Sequence, residues 1–278
     1  MKKVIMLCIC WMMCLSLMTT VSAKNKITTI CDYTSFSHYE KIDINGDHKK
    51  ERVGLNVTAT QVKISIGRKF KATLKKEDTD QAKLDALTIG KRHYLVLTIG
   101  ENDGVSEAMR LYQISKKFKL TNCGDLAKYA TKHFSSAIDL SVVKWHNDSF
   151  EVEDTIEPNE TGLMTLTYTF QIKDHSLKRT SNYGKVRLLN RKSLKVYTKQ
   201  LSLNDSPTSS KVSALASKGD VFTPIKFYEK KGKMALLLKK GDEQGWLKLT
   251  TSVDANTKLY KDHPKHGLFY NTGNYFGA

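Results

Sequence analysis

The feature that most constrains this chain is a short alternation of apolar and polar residues that keeps returning. Val53, Leu55 and Val57 alternate with Gly54 and Asn56, and Val62, Ile64 and Ile66 repeat the pattern. Leu95, Leu97 and Ile99 follow it too, as do Leu166, Tyr168 and Phe170. A helix would need apolar residues three and four apart, whereas alternate positions fall on one face of a strand. Clusters of Gly, Asn and Asp separate the runs, so the chain reads as antiparallel strands with one wet face, a mainly β protein. Residues 62–68 and 70–74 read as a hairpin turning at Gly67-Arg68. One segment departs from the rule. Leu126, Tyr129, Ala130 and Phe134 share a helical face after Gly124-Asp125, which predicts one short helix. Residues 75–84 are charged and read as helix or loop.

The start of the chain is of another kind. Met1-Lys2-Lys3 precedes an apolar stretch that ends at Met18, and Val21-Ser22-Ala23 follows. A basic start, an apolar run of about 15 residues and a small-x-small end describe a secretory signal peptide over 1–23, cleaved near Ala23. A membrane anchor needs roughly 20 apolar residues, and Thr19-Thr20 interrupts sooner. Met13 stands where a small residue should precede a lipidated cysteine, which argues against lipidation at Cys14. No later segment is long and apolar enough to span a bilayer, so the mature chain is expected to lack a transmembrane segment. It is expected to be secreted, or held at the cell envelope.

Export changes what the charge means. The formal net charge is +17, and loss of Lys2 and Lys3 leaves +17 − 2 = +15. Inside a cell such a balance would suggest nucleic acid. Outside it, no nucleic acid is expected, and the polyanions available are wall polymers, phospholipid surfaces and acidic glycans. Plain solubility is the simpler account, because the lysines are scattered along the chain. Of the five cysteines, Cys31 and Cys123 survive cleavage. An even pair in an oxidising compartment predicts a disulfide, worth roughly 4–5 kcal/mol in the chain-entropy model for a loop of this length. Two buried free thiols are the alternative.

The character shifts near residue 190. Residues 195–203 read as a strand, Asn204-Asp205-Ser206-Pro207-Thr208-Ser209-Ser210 is a polar loop, and strands follow at 221–228, 234–238 and 245–249. Several strands joined by tight polar turns suggest a small barrel. The expected division is therefore a β-domain over 24–190 and a barrel over 191–278. The tail, Gly267-Leu268-Phe269-Tyr270 and Tyr275-Phe276-Gly277-Ala278, is aromatic enough to dock on one of them.

One stretch implies a particular chemistry. Asp43-Ile44-Asn45-Gly46-Asp47-His48-Lys49-Lys50-Glu51 places oxygen-bearing side chains at positions 1, 3, 5 and 9 of a loop. Calcium takes about six to eight hard oxygens at ~2.3–2.6 Å. Alternate residues of a curling loop point inward together, so Asp43, Asn45 and Asp47 converge, the Lys49 carbonyl enters at position 7 and Glu51 closes the ring. An EF-hand is excluded because Gly54 stands where its bidentate glutamate belongs and the flanks are strand-like. The run from Tyr39 to Val53 resembles the calcium-loop repeat of integrin-α-like β-propellers, the FG-GAP or VCBS type. That resemblance implies a loop joining two strands of a blade, with a structural Ca2+. His48 replaces the usual glycine at a turn that prefers positive φ, and Glu101-Asn102-Asp103-Gly104-Val105-Ser106-Glu107 is at best a degenerate second copy. One good loop implies one or two blade-like units, not a full propeller.

The C-terminal part carries a second resemblance. Gly219-Asp220-Val221-Phe222 and Gly245-Trp246-Leu247-Lys248 make it similar to a bacterial SH3-like domain. The resemblance implies contact with cell-wall peptide or with protein, and Tyr197, Tyr228 and Trp246 are the positions where a ligand groove would form. A purely structural role for Trp246 is the competing reading.

Signals for catalysis are poor. There is no G-x-S-x-G, H-E-x-x-H, P-loop or G-x-G-x-x-G. His263-Pro264-Lys265-His266 lacks an acidic or cysteine partner for zinc. Glu151 and Glu153 share one strand face, as a carboxylate pair for glycoside cleavage would, but a solvated strand explains them as well. The expectation is a non-catalytic binding module at the cell envelope, with an anionic wall polymer, a peptidoglycan peptide or an envelope protein as partner. The rivals are a secreted cell-wall hydrolase with an SH3-like targeting domain, whose catalytic groups lie in 75–190, and a protein-binding inhibitor or assembly factor.

Overall fold

A computed structural model describes residues 26–76, 81–100, 106–134, 138–146, 148–158, 160–189, 191–249 and 268–269. The expected signal peptide, residues 101–105 of the degenerate second copy at 101–107, and His263–His266 lie outside them.

The described chain enters as β1 (Lys26–Thr34) and then makes a meander of β2 (His38–Ile42), β3 (Glu51–Val57), β4 (Gln61–Ile66) and β5 (Lys69–Lys75), a four-stranded sheet in that order. The hairpin turns at Gly67-Arg68, as its residues predict. Next come β6 (Gln81–Ile89), which pairs back onto β1, then β7 (Arg92–Gly100), β8 (Ser106–Ile114) and β9 (Leu120–Asp125), giving a five-stranded sheet in the order β1-β6-β7-β8-β9. Helix α1 (Leu126–Phe134) follows where the apolar spacing places it. Asp125 starts it, accepting the Lys128 N–H at 3.2 Å.

The remaining strands form one eleven-stranded antiparallel sheet. They are β10 (Ile138–Trp145), β11 (Ser149–Ile156), β12 (Met164–Lys173), β13 (Ser176–Arg179), β14 (Tyr183–Leu188), β15 (Leu194–Lys195), β16 (Gln200–Asn204), β17 (Val212–Ser217), β18 (Val221–Lys230), β19 (Lys233–Lys240) and β20 (Glu243–Leu249). The protein is mainly β and antiparallel. No barrel closes among the described residues: the C-terminal strands lie in the open order β14-β18-β19-β20-β16-β17. The reason is local. Tyr183 pairs with Tyr228 and Gly184 with Phe227, so β18 extends the sheet of β10–β14. A Cβ on Gly184 would stand 2.2 Å from Phe227 Cε1 and 2.4 Å from the Thr167 carbonyl, which only glycine permits.

The five-stranded sheet is buried on both faces. Leu84, Leu95, Leu97 and Tyr112 pack with Val53, Leu55, Val62 and Ile64 of the four-stranded sheet. Leu87, Val96, Met109 and Leu111 face the other way, onto Leu126, Ala130 and Phe134 of α1 and onto Phe150, Leu166 and Phe170 of the large sheet. Each such side chain, fully buried, contributes roughly 1.5–3 kcal/mol. The second core runs on without a break through Leu194, Val196, Phe227 and Leu236 to Phe269, the described end of the aromatic tail, which bridges to Val196.

Two expectations need correction. Residues 81–84 belong to strand β6, because Ala82 and Leu84 alternate inward between the charges. Cys31 and Cys123 are not a disulfide; both are buried free thiols. They lie on β1 and β9, the two edges of the five-stranded sheet, four strand spacings or roughly 19 Å apart, and they belong to the cores on its opposite faces. A disulfide needs Cα atoms within about 7 Å. Burial, with Asp32 and Asp85 nearby, pushes the Cys31 thiol up to about 11.

Candidate functional site

The loop at 43–50 is set by its two strands. Ile42 pairs with Glu51 across β2 and β3 and closes it. Within it the chain curls on its own side chains. Asp43 Oδ1 accepts the Gly46 N–H at 2.8 Å and Oδ2 accepts the His48 N–H at 2.9 Å. Asp47 Oδ1 accepts the Lys49 N–H at 2.9 Å, and Asn45 Nδ2 donates to Asp47 Oδ2 at 3.1 Å. These bonds force a left-handed backbone at Gly46 (φ 75°) and at His48 (φ 66°), the position where a histidine stands in place of glycine.

The curl brings oxygens of Asp43, Asp47 and Glu51 within 4.8 Å of one another. Two ligands of one calcium, each at about 2.4 Å, can be no further apart than roughly 4.8 Å, so the three carboxylates are spaced to share an ion. Asn45 sits beside them through its bonds to Asp47, and Lys49 holds the loop through its amide. Glu51 is the telling member. Its Oε2 is buried and has no hydrogen-bond partner. Burial raises its pKa, the Ile44 N–H offsets part of this, and the negative charges of Asp47 and Asp43 add to the rise. The donor set is all hard oxygen, which fits calcium and not a soft metal. Asp47 is the converse: the Lys49 amide and the Asn45 side chain lower its pKa.

One neighbour of the loop carried no signal in the sequence. His93, at the start of β7, lays its ring against Gly46, where a Cβ would meet Nε2 at 2.7 Å. Its ring bonds Thr88 Oγ1 at 3.1 Å, and burial depresses its pKa against the pull of Asp43. The loop is thus clamped between two sheets, its curl made on one and covered by the other.

The aromatic positions divide. Tyr228 and Trp246 lie together on the outer face of the large sheet, ring centroids 6.5 Å apart, both buried. The unanticipated third member is Tyr183, half exposed, 5.2 Å from Tyr228 and 5.9 Å from Trp246. Tyr197 is placed elsewhere in the order, bonded through its amide to Leu268, with Lys218 Nζ 5.3 Å above its ring.

Nothing brings the carboxylate pair together as catalysts. Glu151 is held by Lys185 at 3.1 Å and by His146 at 3.4 Å, and Glu153 lies 3.9 Å from Arg187 and bonds Thr167. Lys185 and His146 keep the Glu151 pKa low against the effect of burial. A cleft of about 450 Å³ between the β6–β7 and β12–β13 turns contains Asp148 and Asp174 beside Lys91, Arg92 and Lys173, and among the described residues no histidine lines it.

A buried polar cluster joins the N- and C-terminal parts. Arg179 and Glu229 form an ion pair through Nη1 and Oε2, and Arg179 Nη2 donates to the Glu229 carbonyl at 2.9 Å. Tyr129 OH accepts from Arg179 at 3.2 Å, and the His133 ring meets Glu229 Oε1 at 2.9 Å. Both carboxylate oxygens of Glu229 and all three guanidinium nitrogens of Arg179 have partners, which makes the cluster a joint and not an open site. No protein family matches the chain, and no curated protein matches it.

Proposed function

We propose that this chain is an exported, non-catalytic binding module of the cell envelope whose N-terminal β-domain is held by a structural calcium ion. The observation that carries the reading is the convergence of Asp43, Asp47 and Glu51, with one buried carboxylate oxygen left without a donor. Calcium supplies the positive charge that lets three carboxylates share one space. Asp43, Asp47 and Glu51 would hold it, with Asn45 and the Lys49 carbonyl as neutral donors. The FG-GAP or VCBS-type reading draws support from a loop that links adjacent antiparallel strands of a four-stranded meander. The SH3-like reading rests on the β18–β19–β20 meander, the β16–β17 arm and the bridge from Val196 to Phe269. The basic balance of the chain favours an anionic wall polymer as partner.

The test is thermal melting of the full chain with chelator and with calcium. Calcium at about 100 times its Kd stabilises by roughly 2.7 kcal/mol, so the midpoint should rise by several degrees. Asp43→Ala and Asp47→Ala should abolish that rise. Three proteins that respond alike would remove the metal from the account. Retention on purified wall material at low salt, lost at high salt, checks the partner; no retention at either salt overturns it.

A further inference from the structure

We propose that the C-terminal strands β15–β20 form a docking surface for an anionic lipid bilayer. Two independent features lie in the same stretch. Residues 191–249 contain twelve lysines and one arginine against five acids, a formal balance of 13 − 5 = +8 in 59 residues. The acids are moreover partly used. Lys240 takes Asp220 at 2.7 Å, and Glu229 is buried with Arg179 and His133. Asp205, Asp242 and Glu243 then stand against eleven other lysines.

The second feature is apolar. Val212, Leu215, Val221 and Ile225 are exposed, Leu215 to 60%, although the same strands bury Ala216, Phe222 and Phe227. The alternation explains how: Ala214 and Ala216 turn inward opposite Leu203 and Leu201, and Leu215 is left outward opposite Ser202. Ile225 is extruded at a bulge, because Pro224 pairs with Leu238 and Lys226 with Leu237. The four side chains sit on β17 and β18, which follow one another through a turn in which the Asp220 N–H donates to the Ser217 carbonyl at 3.1 Å. In the sheet β19, β20 and β16 lie between the two strands, so the four make two apolar spots that only a broad surface spans at once. Lys211, Lys218 and Lys226 flank them in sequence.

A soluble polyanion is bound by the cations alone and gains nothing from aliphatic side chains held out in water. Bases and sugars are gripped by aromatic stacking, and none of these four is aromatic. An anionic bilayer uses both features, headgroups meeting the lysines while aliphatic side chains enter the acyl boundary. Attraction to the surface should weaken with salt, and the apolar part of the binding should not.

Co-sedimentation of the full chain with vesicles tests this. Vesicles of phosphatidylglycerol mixed with phosphatidylcholine should bind at least ~10-fold more tightly than phosphatidylcholine alone. The double variant Leu215→Ser/Ile225→Ser should lose about tenfold in vesicle affinity with its melting midpoint unchanged, and Val212→Ser/Val221→Ser provides a second, independent pair. Lys211→Ser/Lys218→Ser/Lys226→Ser should lose about as much and flatten the salt dependence. Equal binding to both vesicle types, or apolar variants as tight as the parent, overturns the proposal. So does polyglutamate bound as tightly as the vesicles by parent and apolar variants alike, which would make the partner a polymer.

Discussion

Two carboxylates show how differently this protein treats a buried charge. Asp85 and Glu51 are both pushed above the usual range by loss of solvent. Asp85 has an internal remedy: Thr29 Oγ1 donates to it at 2.7 Å and Lys83 stands at 3.8 Å. Glu51 Oε2 has none, which is why an external cation suits one and not the other. The raised pKa of Asp85 has a pH consequence. A carboxyl that binds its proton more tightly when folded contributes stability below its unfolded value, near 3.8, and loses it as pH climbs through the higher folded value. Asp85→Asn keeps an acceptor for Thr29 and has no charge to bury. Its melting midpoint should exceed the parent's at pH 7, and the gap should close as pH falls toward 3.8. A gap that is the same at both pH values would show that burial of the charge is not its cause.

At the scale of elements, one tight point is the crossing of β14 and β18. Only two residue pairs make that ladder, and Gly184 is one of them. Gly184→Ala places a methyl inside the Phe227 ring edge and the Thr167 carbonyl, so it should cost about 1–3 kcal/mol in a denaturant titration, as overpacking does. A variant as stable as the parent would mean that the two strands can part without loss. Elements of this kind were legible to different degrees. The β4–β5 hairpin and α1 could be read because their signals are local: a Gly-Arg turn in one, a three-and-four spacing after a capping aspartate in the other. The loop at 43–51 was legible for the same reason, its converging oxygen-bearing side chains falling within nine residues. Strand β6 was obscured by Lys83 and Asp85, which share a strand with fully buried neighbours. The β14–β18 ladder gave no local sign, since Gly184 and Phe227 meet only in the fold. The cysteines misled because an even count says nothing about distance, and β1 and β9 came to rest on opposite edges of one sheet.

Across the whole molecule, the question is what makes the two ends of the chain unfold together. The core passes from α1 and the five-stranded sheet through Leu188 and Leu194 to Phe269 without a break. Beside it stands the cluster of Arg179 and Glu229, residues 50 apart in sequence, with His133 of α1 and Tyr129 bonded to them. Glu229 is almost wholly buried, with its side chain 2% exposed, and the Gly232 N–H also binds it at 2.8 Å. A buried pair is weak evidence of net stability, but the loss of one partner strands the other's charge at a cost of about 3–5 kcal/mol. Arg179→Met should therefore destabilise by about that much. Arg179→Met/Glu229→Leu should recover a large part of it, because the charge has gone with its partner. Where the penalty falls separates a joint from a local contact. If the cluster couples α1 to the β18–β19 hairpin, Arg179→Met should also broaden or split the unfolding transition seen by tryptophan emission, since Trp246 reports the C-terminal strands and Trp145 the edge of the large sheet. A single sharp transition, with a loss below about 1 kcal/mol, would place the coupling in the shared apolar core alone.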